Sequence, residues 1–118
     1  MILADTSVWV DHLRRGDAQL AERLERGEVL MHPLVVGEIA CGTLSDRASI
    51  IELLQDLPMA VAESDKVLGF IERHGVHGKG IGYVDVHLLV STALSAGATL
   101  WTLDKRLAAA AHDLGCAR

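Results

Sequence analysis

Apolar residues recur along the chain in two alternating rhythms: short unbroken runs, and longer stretches in which they return every three or four positions. Residues 1–4 are a short apolar run that meets Asp5-Thr6-Ser7, which predicts a buried strand running into a helix start. Trp9, Val10 and Leu13 keep helical spacing as far as Arg14-Arg15-Gly16, a cationic end closed by glycine. Leu20 and Leu24 then share one face of a second helix over residues 18–26, which Gly27 stops. Residues 29–32 predict a second strand, and Pro33 opens the next helix, which carries Glu38. Asp46 stands where it can cap a fourth helix through Ile50, Ile51, Leu53, Leu54 and Leu57, and residues 59–62 predict a third strand. Ser64 and Gly75 bracket a helix with Val67, Leu68, Phe70 and Ile71 on its apolar face. A long apolar helix is expected from Tyr83 to about Ala96. Residues 99–102 follow as a fourth strand, then a last helix capped by Asp104 that ends before Gly115, with residues 116–118 as a short edge strand.

Short strands alternating with helices predict an α/β fold of three layers, α/β/α, around a short and mostly parallel sheet of four to five strands. The 118 residues suit one domain, 1–118, and a composition that is 50% hydrophobic and 23% charged excludes disorder as the main state. The apolar stretches over residues 29–37 and 86–103 are too short or too interrupted to cross a membrane, and no signal peptide precedes the first strand, so a cytoplasmic protein is expected. Cys41 and Cys116 lack metal-ligand spacing and are expected to fill structural positions rather than form a zinc site or a disulfide framework. With 11 Lys and Arg against 16 Asp and Glu, the net charge of −5 argues against a general basic face for nucleic acid. Any phosphate handling must then be local and assisted by a cation.

In open parallel sheets the functional crevice lies at the carboxyl ends of the strands. Asp5 directly follows the first strand and Asp104 the fourth, while Glu38 and Asp85 lie in otherwise apolar helices near the same edge. Singly, each acid has an ordinary explanation: Asp5 and Asp104 are good N-caps, Asp85 complements a helix N-terminus, and Glu38 can face solvent. Together they would repel one another and raise their pKa values unless a cation sat among them. All-oxygen donors favour Mg²⁺, or Mn²⁺, over zinc, and such sites serve in-line attack of an activated water on a phosphodiester. The glycines of Val76-His77-Gly78-Lys79-Gly80-Ile81-Gly82 fit neither a P-loop nor a dinucleotide fingerprint and predict tight backbone passage instead.

Four segments, Asp5-Thr6-Ser7-Val8-Trp9-Val10, Val36-Gly37-Glu38-Ile39 with Gly42 beyond it, Gly80-Ile81-Gly82-Tyr83-Val84-Asp85-Val86-His87-Leu88-Leu89, and Leu100-Trp101-Thr102-Leu103-Asp104-Lys105-Arg106-Leu107, stand in an order that resembles the PIN-domain ribonucleases, and more closely the VapC toxins of type II toxin-antitoxin pairs. The resemblance spans essentially the whole chain. It implies an endoribonuclease whose acidic quartet is Asp5, Glu38, Asp85 and Asp104. Asp5 and Asp85 would be direct ligands of Mg²⁺, Asp104 a direct or water-mediated one, and Glu38 a ligand through water or the group that orients the attacking water. Thr6, Ser7 and Thr102 would then fix the carboxylate rotamers. RNA as substrate, a homodimer and a VapB-like antitoxin lying over the active site are implied as well.

In the family a variable basic-to-small pattern often follows the fourth acid, whereas here Lys105 and Arg106 stand in the first turn of the last helix, where cations oppose the helix dipole. Together with Lys79 and Arg14 or Arg15 they are candidates for RNA phosphate contacts. The histidines show no ligand spacing, and His87, two residues beyond Asp85, is expected on another helix face, so a general-base histidine is disfavoured. Trp9, Phe70, Tyr83 and Trp101 are too scattered for a stacking platform and are read as core or dimer contacts. Two alternatives stand beside the nuclease: a non-catalytic PIN-like interaction module, and a Mg²⁺-dependent phosphoacceptor domain, which would want an adjacent acidic pair after the first strand where this chain has Asp5-Thr6.

Overall fold

Ile2, Leu3 and Ala4 form strand β1 (Ile2–Ala4) and are all at most 1% exposed. Consecutive strand residues point to opposite faces, so both faces of this strand are covered. It is the centre of the sheet in the computed structural model, which describes residues 1–118. On one side β1 pairs in parallel with β2 (Val29–Leu30), matching Ile2 to Val29 and Leu3 to Leu30. On the other it pairs in parallel with β3 (Thr99–Trp101), matching Leu3 to Leu100 and Ala4 to Trp101. The order β2-β1-β3 carries the chain outward in both directions from the first strand.

Seven helices enclose this sheet: α1 (Thr6–Arg15), α2 (Ala18–Glu25), α3 (Pro33–Ala40), α4 (Arg47–Gln55), α5 (Ser64–His74), α6 (Tyr83–Ala93) and α7 (Lys105–Asp113). Helix α1 packs on β1 and α3, whereas α6 and α7 pack on β3 and on each other. Every residue from Val86 to Thr92 in α6 is buried, so this helix is surrounded and forms much of the core with Leu3, Leu20, Met31, Val35, Val67, Leu100 and Leu107. The buried hydroxyl of Thr92 donates to the Leu88 carbonyl, and Ser91 Oγ accepts the amide of Ala62, which removes the cost of burying both.

The sheet has three strands where four to five were expected, and the two missing ones survive as single parallel bridges at its edges, Met31 with Met59 and Leu100 with Ala117. Pairing stops after Ala60 because Ala62 gives its amide to Ser91 and not to a neighbouring strand. Asp46 precedes α4 as expected but sits in the left-handed region, φ 54° and ψ 43°, and makes no capping bond. Helix α6 ends at Ala93, three residues short of the expected Ala96. Cys116 is buried as a structural cysteine should be, but Cys41 is exposed just past the end of α3. Trp9, Phe70 and Trp101 are core residues, whereas Tyr83 is half exposed. No helix is long and apolar enough to cross a membrane.

Candidate active site at the carboxyl end of the sheet

Asp5 leaves β1 and becomes the N-cap of α1, its Oδ1 accepting the Val8 amide at 3.1 Å. The residue is 3% exposed, and both oxygens are engaged: Ser7 Oγ donates to Oδ1 and Thr102 Oγ1 to Oδ2. These hydroxyls also tie two loops together. Ser7 Oγ accepts the Leu103 amide at 3.1 Å, and Thr102 Oγ1 accepts the Asp104 amide at 3.0 Å. The path from the end of β3 to α7 is thereby bound to the end of β1.

Asp104 caps α7 with Oδ1, taking the amides of Arg106 at 2.8 Å and Leu107 at 3.2 Å, and its Oδ2 makes no hydrogen bond. Capping and a site role are therefore compatible, because the cap occupies one oxygen and fixes the rotamer of the other. Helix α3 turns Val35, Val36 and Ile39 to the core and leaves Glu38 exposed, although its neighbours in sequence are apolar. Its Oε1 accepts the Thr6 hydroxyl at 2.6 Å. Each of Thr6, Ser7 and Thr102 thus donates to a carboxylate of the quartet.

Asp85, in the first turn of α6, is half-buried and makes no hydrogen bond. Its carboxyl is raised above the ordinary aspartate value, first by burial and then by the negative charges of Asp5, Glu38 and Asp104. Four acids separated by up to 99 positions in sequence therefore face one space. They do not close on a single point, and no three His, Cys, Asp or Glu side chains form a tight metal-binding group. Asp5, Glu38 and Asp104 are each held by hydroxyls or amides, and unbonded oxygens remain on Glu38, Asp85 and Asp104. An all-oxygen set with excess negative charge fits a hard divalent cation.

Of the 11 cations, Arg15, Arg23 and Arg26 are paired with acids, Arg47 donates to the carbonyls of Ala40 and Gly42, and Arg118 covers Trp101. Arg14, Lys66, Arg73, Lys79, Lys105 and Arg106 have no acidic partner, and this set includes every candidate phosphate contact except Arg15, the alternative to Arg14, which Asp11 holds. Arg14 lines a cleft of about 610 Å³ together with Glu38 and the turn at Gly42 and Thr43. Arg106 lies over Gly80, which joins the glycine-rich loop carrying Lys79 to the start of α7. Gly80 has φ +72°, a conformation that favours glycine, and a Cβ there would stand 2.5 Å from Arg106 Nη1, the mobile end of that side chain.

His87 is buried, with Tyr83 edge-on at 4.5 Å and His32 at 6.2 Å between ring centroids. His32 carries no ligand spacing in the sequence; its place at the end of the second strand is the one signal that points to the crevice. The PIN domain family model matches residues 2–113. Ribonuclease VapC32 of Mycobacterium tuberculosis, from strains CDC 1551 / Oshkosh and ATCC 25618 / H37Rv, is 48% identical over 118 residues, covering 99% of this chain and 95% of that protein. With the parallel order β2-β1-β3 and the acids at its carboxyl edge, the chain belongs to the PIN-domain family, in its VapC branch.

Proposed function

We propose that this protein is the toxin of a toxin-antitoxin pair and acts as an endoribonuclease, hydrolysing RNA phosphodiesters at Asp5, Glu38, Asp85 and Asp104. The observation that carries the reading is the gathering of four acids at the carboxyl edge of the sheet, with Thr6, Ser7 and Thr102 donating to Glu38 and Asp5, and with the Asp85 carboxyl raised first by burial and then by the other three charges. The name and identity of the mycobacterial relative support the choice of RNA. Asp5, Asp85 and Asp104 would hold Mg²⁺, or Mn²⁺, with Glu38 at one remove, and the bound cation would supply a more acidic water and countercharge for the leaving oxygen.

The chain's own contribution is position and proton handling. Ser7 and Thr102 lock the Asp5 carboxylate in one orientation, and Thr6 holds Glu38 Oε1, leaving Oε2 free to accept a proton from the water that attacks phosphorus. Arg14, Lys79, Lys105 and Arg106 bind the flanking phosphates and offset the acidity of the crevice. With the four acids neutralised in place, the remainder of the chain carries 11 cations against 12 acids, so the net charge of −5 is compatible with an RNA substrate. A homodimer and a VapB-like antitoxin that covers the crevice complete the assignment, with the cytoplasm as its setting.

Purified protein is expected to cleave RNA with Mg²⁺ and to lose that activity on chelation. Asp5→Asn and Asp85→Asn should each lower the rate at least about a hundredfold, with folding verified by circular dichroism. Equal rates in both variants would refute the assignment.

A further inference from the structure

The cleft that Arg14 and Glu38 share, about 610 Å³, runs between α1 and the turn that joins α3 to α4. Small-molecule sites occupy about 300–1,000 Å³, so the space suits one nucleotide. A member of the acidic quartet stands in its wall, which makes the cleft continuous with the crevice. Glu38 is held there by Thr6 at the start of α1, and Arg14 lies two turns further on, about 12 Å along the helix axis. The cleft therefore has an anionic end beside the quartet and a cationic end away from it. Of the two neighbouring arginines Arg15 is held by Asp11, so Arg14 is the one available to an anion.

Between those ends the lining is of two kinds. Val10, Leu13, Leu44 and Ile50 supply apolar surface, which suits the face of a base. Thr43 and Ser45 supply two hydroxyls, both on exposed residues and neither engaged within the protein. The turn that carries them is braced. The Arg47 guanidinium donates to the carbonyls of Ala40 and Gly42, and Asp46, which closes the turn, is the one non-glycine residue with a positive φ. A backbone held in that region persists only where its surroundings over-determine it, so the hydroxyls are presented from a fixed frame. In an RNA strand each ribose lies between two phosphates. With the cut phosphate at the quartet and the next one at Arg14, the sugar between them falls beside Thr43 and Ser45.

We infer that this cleft seats the nucleotide next to the cut, with the Thr43 and Ser45 hydroxyls on its ribose 2′-OH, Arg14 on its outer phosphate and its base against Val10, Leu13 and Leu44. The inference rests on the ribonuclease reading of the acids and adds to it the element that tells RNA from DNA. The 2′-OH donates and accepts, as do both protein hydroxyls, and a deoxyribose offers them nothing. A 2′-deoxy nucleotide here is therefore disfavoured by about tenfold, the net effect of one hydrogen bond. The apolar walls carry no pattern of donors and acceptors, so the subsite reads the sugar and tolerates any base.

The test measures Mg²⁺-supported cleavage of one oligoribonucleotide and of copies that carry a single 2′-deoxy nucleotide on one or the other side of the cut. In the parent protein the deoxy sugar should lower kcat/KM about tenfold on one side. Both hydroxyl residues are exposed, so the double variant Thr43→Val, Ser45→Ala should fold as the parent does by circular dichroism, and it should bring that ratio close to one. The ratio is taken within each protein, so a general loss from a disturbed turn does not move it. Arg14→Ala should raise KM about tenfold for every substrate with a smaller change in kcat, and reduce the salt slope of RNA binding by about 0.7, while Arg14→Lys restores most of the loss. A deoxy penalty that persists in the double variant, or that is absent on both sides of the cut in the parent, would overturn the subsite and leave the nuclease intact. So would a KM that ignores Arg14→Ala. Absence of cleavage in the parent would instead overturn the ribonuclease reading, and this inference with it.

Discussion

Thr102 shows how much one hydroxyl can determine, because it donates to Asp5 and accepts from the Asp104 amide at the same time. Thr102→Val keeps the shape and removes both bonds. Its expected effect is a loss of about 10- to 100-fold in RNA cleavage, with the melting temperature lowered by only a few degrees, as calorimetry would show. Asp85 behaves in the opposite sense. Repulsion from three acids weighs against its charged form, so Asp85→Asn should raise the melting temperature while it abolishes cleavage. His32 contributes one part of the pH dependence of the fold. Its folded pKa of about 4 lies below the ordinary 6.5, so the unfolded chain binds more protons between those values, and stability is full above pH 6.5 and falls as pH drops towards 4. The contribution is at most about 3 kcal/mol. Urea titrations at pH 7 and pH 5 should differ in that direction, and His32→Asn should flatten the difference. The acids were legible in the sequence because strand ends mark the crevice, and an exposed Glu38 was one of the readings its helix allowed. Glu38 lies among apolar residues in sequence and outside them in space, since a helix turns adjacent positions to different faces.

At the scale of elements, helices were the more readable class. Their capping residues and apolar spacing are local, as Asp5, Asp104 and the glycine at Gly75 show. The edge strands were not, because a strand exists only through its partner. The apolar run at residues 59–62 pairs at one residue before Ala62 turns its amide to Ser91, 29 positions away, and no local pattern encodes that. Asp46 misled for a related reason, since a capping residue type need not be in capping geometry. The loop at Gly80 gives a sharper test. Gly80→Ala meets both a positive φ and the Arg106 guanidinium, so it should destabilise the protein by about 1–2 kcal/mol in urea denaturation and loosen the loop that carries Lys79.

For the molecule as a whole, charge is sorted by position. Ion pairs hold Arg15, Arg23 and Arg26, whereas Lys79, Lys105 and Arg106 are unpaired beside the crevice. RNA binding should therefore weaken with salt despite the net charge of −5. Replacing Lys79 and Lys105 by Ala should reduce the slope of log affinity against log salt by about 0.7 for each phosphate that these side chains neutralise, measured by filter binding. An unchanged slope would remove these residues from the interface. The bond between Thr102 and Asp5 spans 97 positions, and ribosomes add about 5–20 residues each second. During translation, the first carboxylate of the site thus waits about 5–20 s for the hydroxyl that fixes it. A site wired in this way cannot assemble in a nascent fragment: the hydroxyl that orients Asp5, and Asp104 two residues beyond it, arrive only when the chain is almost finished.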